Sequence, residues 1–362
     1  GNNMSFKKKY LKNNNKIYII AEIGINHNGI FDLAIKMIDK SKEAGASAVK
    51  FQKRNADFLL LDGAEREVPT GYLSKNENDL PDEDKAFGTW TYPDLRLEFT
   101  DDQHLELWEY SKKNDLEYII SPWDEHSLDF LVNNNANVIK IASIDTNNYW
   151  FMELVASKQI PVIASVGMCN WSEINQTWRI FEKANCPLMF LHCTSAYPSE
   201  IKDKNLNCIP VLKNLFGQDV GFSGHGVANI GTVGAVALGS EVIEKHVTLS
   251  RQMSGPDQNA SLEFNELSKL ITEANQVKIA LGTTNKVFLQ SEEVLHSVLC
   301  KKIITSQEIK KGDKFTHSNL RTVVTKRKGG LLPNKYYELI GQKASHDLGK
   351  NHIIGNEDFL DE

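Results

Sequence analysis

Two histidines, His225 and His246, close consecutive β-rich runs, Asp219-Val-Gly-Phe-Ser-Gly-His225 and Glu241-Val-Ile-Glu-Lys-His246. Apolar runs of this length suit strands buried in a parallel sheet, whose last polar residues emerge at the carboxyl edge where such sheets bind ligands. One histidine there is most simply a hydrogen-bonded core residue, whereas two read as a metal site. The same edge collects Glu22, Lys50 with Gln52, Ser121, Lys140 with Ser143, Ser165, His192 with Thr194, Ser223 and Glu244. Lys50 and Lys140 are the most telling, because an unpaired ammonium in a protein interior is costly and calls for an anion. Ringed by the hydroxyls of Ser121, Ser143, Ser165 and Ser223, they make a pocket for a small anion carrying both phosphate and carboxylate. Two imidazoles, with Glu22 in reach and no cysteine nearby, describe a divalent ion with open positions, manganese or magnesium.

Positioning such residues requires repeated βα units. Eight runs have strand character: Ile17–Ile23, Ala48–Gln52, Glu117–Ser121, Val138–Ser143, Pro161–Ser165, Leu188–Thr194, Asp219–Ser223 and Glu241–Val247. Helical patterns lie between them at Leu33–Glu43, Ser127–Val132, Glu173–Lys183 and Thr232–Leu238, with Phe264–Leu281 closing the series. This alternation predicts a (β/α)8 TIM barrel over residues 16–284. One connection is long: Thr100-x-x-Gln103 is a capping box that starts a helix at Asp101–Lys113, leaving about 45 residues after Gln52. Trp90, Tyr92, Arg96 and Glu98 suggest that this loop is a sugar-facing lid. Residues 1–15 read as a disordered tail, 285–294 as a linker and 295–362 as a small β-rich domain.

Bulk properties narrow the function classes. The 362 residues carry a formal net charge of −6, which offers no global attraction to nucleic acid or anionic membrane. Five dispersed cysteines form no C-x-x-C pair, which argues for reduced thiols in a cytoplasmic protein. No apolar run is long enough to span a bilayer. Small molecules are the expected partners.

Taken together, Ala21-Glu-Ile-Gly-Ile-Asn-His-Asn-Gly29, Lys50-Phe-Gln-Lys53, Ser165-Val-Gly-Met168, His192-Cys-Thr-Ser-Ala-Tyr-Pro198, Phe222-Ser-Gly-His225, Glu244-Lys-His246 and Gly255-Pro-Asp257 resemble the sialic acid synthases. The resemblance implies condensation of phosphoenolpyruvate with N-acetylmannosamine, free or 6-phosphorylated, on a metal-containing barrel. It also implies an antifreeze-like (SAF) C-terminal domain reaching over the partner's site in a domain-swapped homodimer. On the same basis Lys50, Ser121, Lys140, Ser143, Ser165, Ser195 and Ser223 hold phosphoenolpyruvate, and His225 and His246 the metal. Glu22, Gln52, Asp145, Tyr197, Asp257 and Arg327 face the sugar. Lys50 and Lys140 stabilise charge while Glu22 or Asp145 handles the proton of a water that attacks C2. The chain departs from the pattern at Lys328, where the family often has proline, and at Ser195, where many bacterial members carry asparagine.

Two other readings compete. One is synthesis of a related acid, legionaminic or pseudaminic, or a spore-coat polysaccharide enzyme; Lys53, Arg54 or Arg96 would receive a sugar phosphate if the substrate carries one. The other is a non-catalytic ice- or carbohydrate-binding protein, which gives no reason for two lysines, two histidines and Glu22 at one barrel face.

Overall fold

The computed structural model describes residues 5–12, 15–67, 91–196, 199–217 and 219–360. The chain divides into two compact units, Gly1–Gly282 and Thr283–Glu362.

The first unit is a (β/α)8 barrel. Its strands are β1 Tyr18–Gly24, β2 Ala48–Lys53, β3 Glu117–Pro122, β4 Ile139–Ile141, β5 Val162–Ser165, β6 Leu188–Cys193, β7 Val220–Gly224 and β8 Ser240–Thr248. They pair in parallel in the order β3-β2-β1-β8-β7-β6-β5-β4, so the sheet closes on itself apart from the β3–β4 seam. The expected strand Val138–Ser143 is shortened to β4, because the chain turns into a short helix at Ser143–Thr146. A helix follows each strand, including Tyr149–Ser157 and Cys208–Phe216, which join those read from the sequence pattern. The helix Asp101–Lys113 begins with both capping-box bonds, Gln103 N donating to Thr100 Oγ1 at 3.1 Å and Thr100 N to Gln103 Oε1 at 2.9 Å. Before it, Arg66–Glu67 pairs antiparallel with Thr91–Tyr92, and Trp90 lies outside the described residues.

Alternation along the strands sorts the interior into layers. Tyr18, Ile20, Ala48, Ile119, Val138, Ile163, Met189, Leu191 and Val242 form an apolar cluster inside the barrel. Two residues further along these seven strands, at Glu22, Lys50, Ser121, Lys140, Ser165, Cys193 and Glu244, the same face becomes polar.

The amino-terminal segment corrects the expectation of a disordered tail. Phe6–Tyr10 is a helix capped by Ser5, and Phe6 and Leu11 join the apolar cluster within the barrel. Lys7 Nζ pairs with Glu241 at 2.8 Å, while its backbone N–H donates to Asp219 Oδ2 at 2.9 Å. Phe6, Tyr10 and Leu11 stand at i, i+4 and i+5 among lysines, a periodicity that overall polarity conceals.

The second unit contains the antiparallel pair Lys301–Thr305 and Leu320–Val324 over a core that includes Ile303, Phe315, Leu339 and Ile354. A helix, Glu293–Leu299, starts inside the expected linker and leaves Val294, Leu295, Val298 and Leu299 exposed. No helix among the described residues is long and apolar enough to cross a membrane.

The buried anchor gives a direct test. Phe6→Ala should lower unfolding free energy by about 3 kcal/mol, as core phenylalanine truncations do. An unchanged denaturation midpoint would contradict the plugging role of this segment.

Candidate active site

Strand register assembles the polar layer. Glu22 lies opposite His246 on β8 and Lys50 on β2, Gln52 lies opposite Ser121, and Glu244 lies opposite Ser223. At the carboxyl end these side chains border a cavity of about 420 Å³. Of the residues expected there, Glu22, Lys50, Gln52, Lys140, Ser143, Ser165, Ser195, Ser223, His225 and His246 line it. Ser121 sits just behind, accepting from Lys50 Nζ at 2.8 Å.

The lysines are not the unpaired cations expected from the pattern. Lys50 pairs with Glu22, and Glu244 Oε1 lies 3.8 Å from both Lys50 Nζ and Lys140 Nζ. Lys140 Nζ also donates to Ser165 Oγ at 2.8 Å and to the Ile141 carbonyl at 3.1 Å. All four charged groups are buried, so the pocket holds two ammoniums and two carboxylates where water cannot screen them.

Their proton affinities diverge. Burial pushes Glu22 up to about 7, outweighing the pull of Lys50. Burial would raise Glu244 too, but Lys140 and Lys50 together hold it below the usual range. For Lys50, burial is overcome by Glu22 and Glu244 and its affinity rises, whereas burial lowers Lys140. Two carboxylates with opposed shifts are suited to different work, one to exchanging a proton near neutrality and the other to remaining a fixed counter-charge.

Glycine shapes the opposite wall. A Cβ at Gly167 would stand 2.2 Å from Ser195 Oγ and 2.8 Å from Ser143 Oγ, so only glycine lets the two hydroxyls converge. The Gly167 N–H donates to Ser143 Oγ at 3.1 Å.

The histidines are adjacent, with ring centroids 5.6 Å apart. His225 Nδ1 lies 2.9 Å from the Thr194 carbonyl, a contact that in the neutral ring leaves the lone pair on Nε2. Burial holds His246 well below its usual value and therefore neutral, the form that binds a metal. Among the described residues no group of three His, Cys, Asp or Glu side chains completes a metal site. Glu22 turns to Lys50 instead of joining the imidazoles. Two nitrogen donors fit a divalent ion whose remaining ligands are water and substrate oxygens, and imidazole favours manganese over magnesium.

Several expectations change. His192 and Thr194 face outward, bonding the Lys204 and Asp203 carbonyls, while Cys193 between them enters the cavity 3.7 Å from His225 Nδ1. A cysteine therefore does lie beside the histidines. Asp145 and Asp257 do not line the cavity; burial raises each to about 6. Tyr197 lies outside the described residues. Arg327 belongs to the second unit, where it is exposed and its Nη1 donates to the Asn351 carbonyl at 3.0 Å. Lys53, Arg54 and Arg96 are committed to Asp101, Glu98 and Asp94, each at 2.6 Å. Glu244, Cys193 and Trp123, with the apolar Ala142, Ile144 and Met168, complete the lining. Glu244 shares the inward parity of His246, a signal present in the sequence.

Residues 37–286 match the model of the NeuB family. The human N-acetylneuraminate-9-phosphate synthase is 34% identical over 94% of this chain and 92% of its own length. The pseudaminic acid synthase of Campylobacter jejuni (strain 81-176) is 33% identical over 95% and 97%. The crystal structure of N-acetylneuraminic acid synthetase from Leptospira borgpetersenii, in complex with citrate, superposes with a TM-score of 0.65 at 33% identity, covering 78% of this chain and 90% of that one.

Asp145 supplies a pH test. Its carboxyl is raised above the ordinary 3.8 to about 6 by burial, so the folded chain holds this proton more tightly than the unfolded one. The resulting stabilisation is complete below about pH 4 and is lost as pH rises to about 6. Relative to Asp145→Asn, the wild type should lose on the order of 2 kcal/mol across that window and nothing further above it. A constant difference in urea midpoints between pH 4 and 7 would contradict the burial assignment.

Proposed function

The chain belongs to the NeuB family, and on that premise we propose that it condenses phosphoenolpyruvate with N-acetylmannosamine or a closely related amino sugar, releasing phosphate and a nonulosonic acid. The carrying observation is the buried pair Lys50 and Lys140 converging on Glu244 beside five serine hydroxyls. An anionic substrate bearing phosphate and carboxylate matches those donors. The sugar is either the free form or its 6-phosphate; Lys53, Arg54 and Arg96, the cations first considered for a sugar phosphate, each carry a carboxylate partner.

In this reading Lys50 and Lys140, with Ser121, Ser143, Ser165, Ser195 and Ser223, hold the substrate's two anionic ends. Gln52 borders the cavity on the proposed sugar side, and Asp257, Tyr197 and Arg327 are the further residues proposed for sugar binding by resemblance to the family. His225 and His246 would hold a divalent cation, manganese or magnesium, and when bound it would supply Lewis-acid polarisation of the sugar carbonyl. The lysines keep C3 of the enol aligned with that carbonyl carbon and offset the charge shifts as the carbon–carbon bond forms. Glu22, with its proton affinity near neutrality, takes the proton of the water adding at C2, a role for which it is better placed than Asp145. The lysines then stabilise the departing phosphate. The second unit is proposed to be an antifreeze-like module completing the partner's sugar site in a homodimer; its exposed Phe288, Leu295 and Val298 provide apolar surface for such docking.

Phosphate release from phosphoenolpyruvate should depend on an amino sugar and on divalent metal. Lys140→Ala should reduce turnover by roughly 10²–10³. Mixing inactive Lys140→Ala and Arg327→Ala chains should restore activity through dimers with one intact site. Sugar-independent release would contradict the reaction, and mixtures that stay inactive after proven subunit exchange would contradict the shared site.

A further inference from the structure

Arg54 follows β2 at the edge of the cavity wall, and its side chain has no solvent exposure. Its Nε donates to Glu98 Oε1 at 2.6 Å, its backbone N–H to Glu98 Oε2 at 3.0 Å, and its Nη2 to the Asp94 carbonyl at 2.9 Å. Nη1 is buried without a hydrogen-bond partner. The guanidinium carbon sits 5.4 Å from the centroid of the Trp123 ring, and Trp123 lines the cavity. The Arg54 charge also opposes the upward push of burial on the carboxyl of Asp257, which follows β8. Gln52, two residues earlier on the same strand face, borders the cavity.

One side chain thus joins two segments: the 94–98 return of the long connection and the Trp123 turn after β3. Stability alone explains such a residue poorly. A buried ion pair is often no more stabilising than apolar residues of the same volume, and here one guanidinium nitrogen is left unsatisfied as well. A planar cation with donors in fixed directions does, however, define the relative placement of the groups it joins.

We propose that Arg54 is a positioning residue for the sugar substrate, holding the Trp123 ring in place at the cavity wall while Glu98 and the Asp94 carbonyl fix its own orientation. This rests on the condensation reading above. It assigns Arg54 a role in sugar recognition that is separate from phosphoenolpyruvate binding, because Lys50 and Lys140 bond other groups.

The test separates the two substrates. Arg54→Lys keeps the cation but loses the planar fork, and Glu98→Gln keeps the arginine but loosens its anchor. Both should raise KM for the amino sugar at least tenfold, leave KM for phosphoenolpyruvate within twofold, and melt within a few degrees of wild type. Trp123→Phe should raise the sugar KM as well, and combined with Arg54→Lys it should add less than its effect alone. An unchanged sugar KM in folded Arg54→Lys, equal rises in both KM values, or strict additivity with Trp123→Phe would overturn the assignment. Failure of the wild type to release phosphate with any amino sugar would instead contradict the reaction itself.

Discussion

Four ionisable side chains, Glu22, Lys50, Lys140 and Glu244, share the interior of a parallel barrel, and the rest of the site is arranged around them. An isolated charge in such a place costs several kcal/mol, so each group is tenable only because the others are present. Parallel pairing fixes Glu22 between His246 and Lys50, and a slip of one residue in β1 would turn Glu22 out of the barrel. The unequal shifts of the two buried carboxylates follow from this placement: Lys140 and Lys50 outweigh burial at Glu244, while at Glu22 burial prevails and the Glu244 charge opposes the pull of Lys50.

The scaffold supports this by separating functions along the barrel axis. Apolar side chains fill the amino-terminal half of the interior, and Phe6 and Leu11 add to that cluster. The polar layer is thereby concentrated at the carboxyl end, where the following loops supply Ser143, Ser195 and His225. Close packing below gives the charged layer a rigid base, so its geometry is set before any ligand arrives.

Much of this was legible in the sequence because buried parallel strands announce themselves as short apolar runs and their ends mark the catalytic face. Lys50, Lys140, His225 and His246 were all located by that rule. It failed where parity mattered: His192 and Thr194 are polar strand-end residues, but only Cys193 points inward. Pairing was also invisible, since Glu22 and Glu244 meet the lysines across strands distant in sequence. Lys53 and Arg54 read as solvated charges because their partners, Asp101 and Glu98, come more than forty positions later. The polar composition of the first residues hid a three-residue apolar face.

The central claim is a condensation in which water attacks C2 of the phosphoenolpyruvate-derived unit. Carrying out the reaction in ¹⁸O-labelled water and analysing both products by mass spectrometry tests it most directly. Label in the C2 oxygen of the sugar acid, with the released phosphate unlabelled, is the predicted result. Label in the phosphate would place the attack at phosphorus and contradict the account.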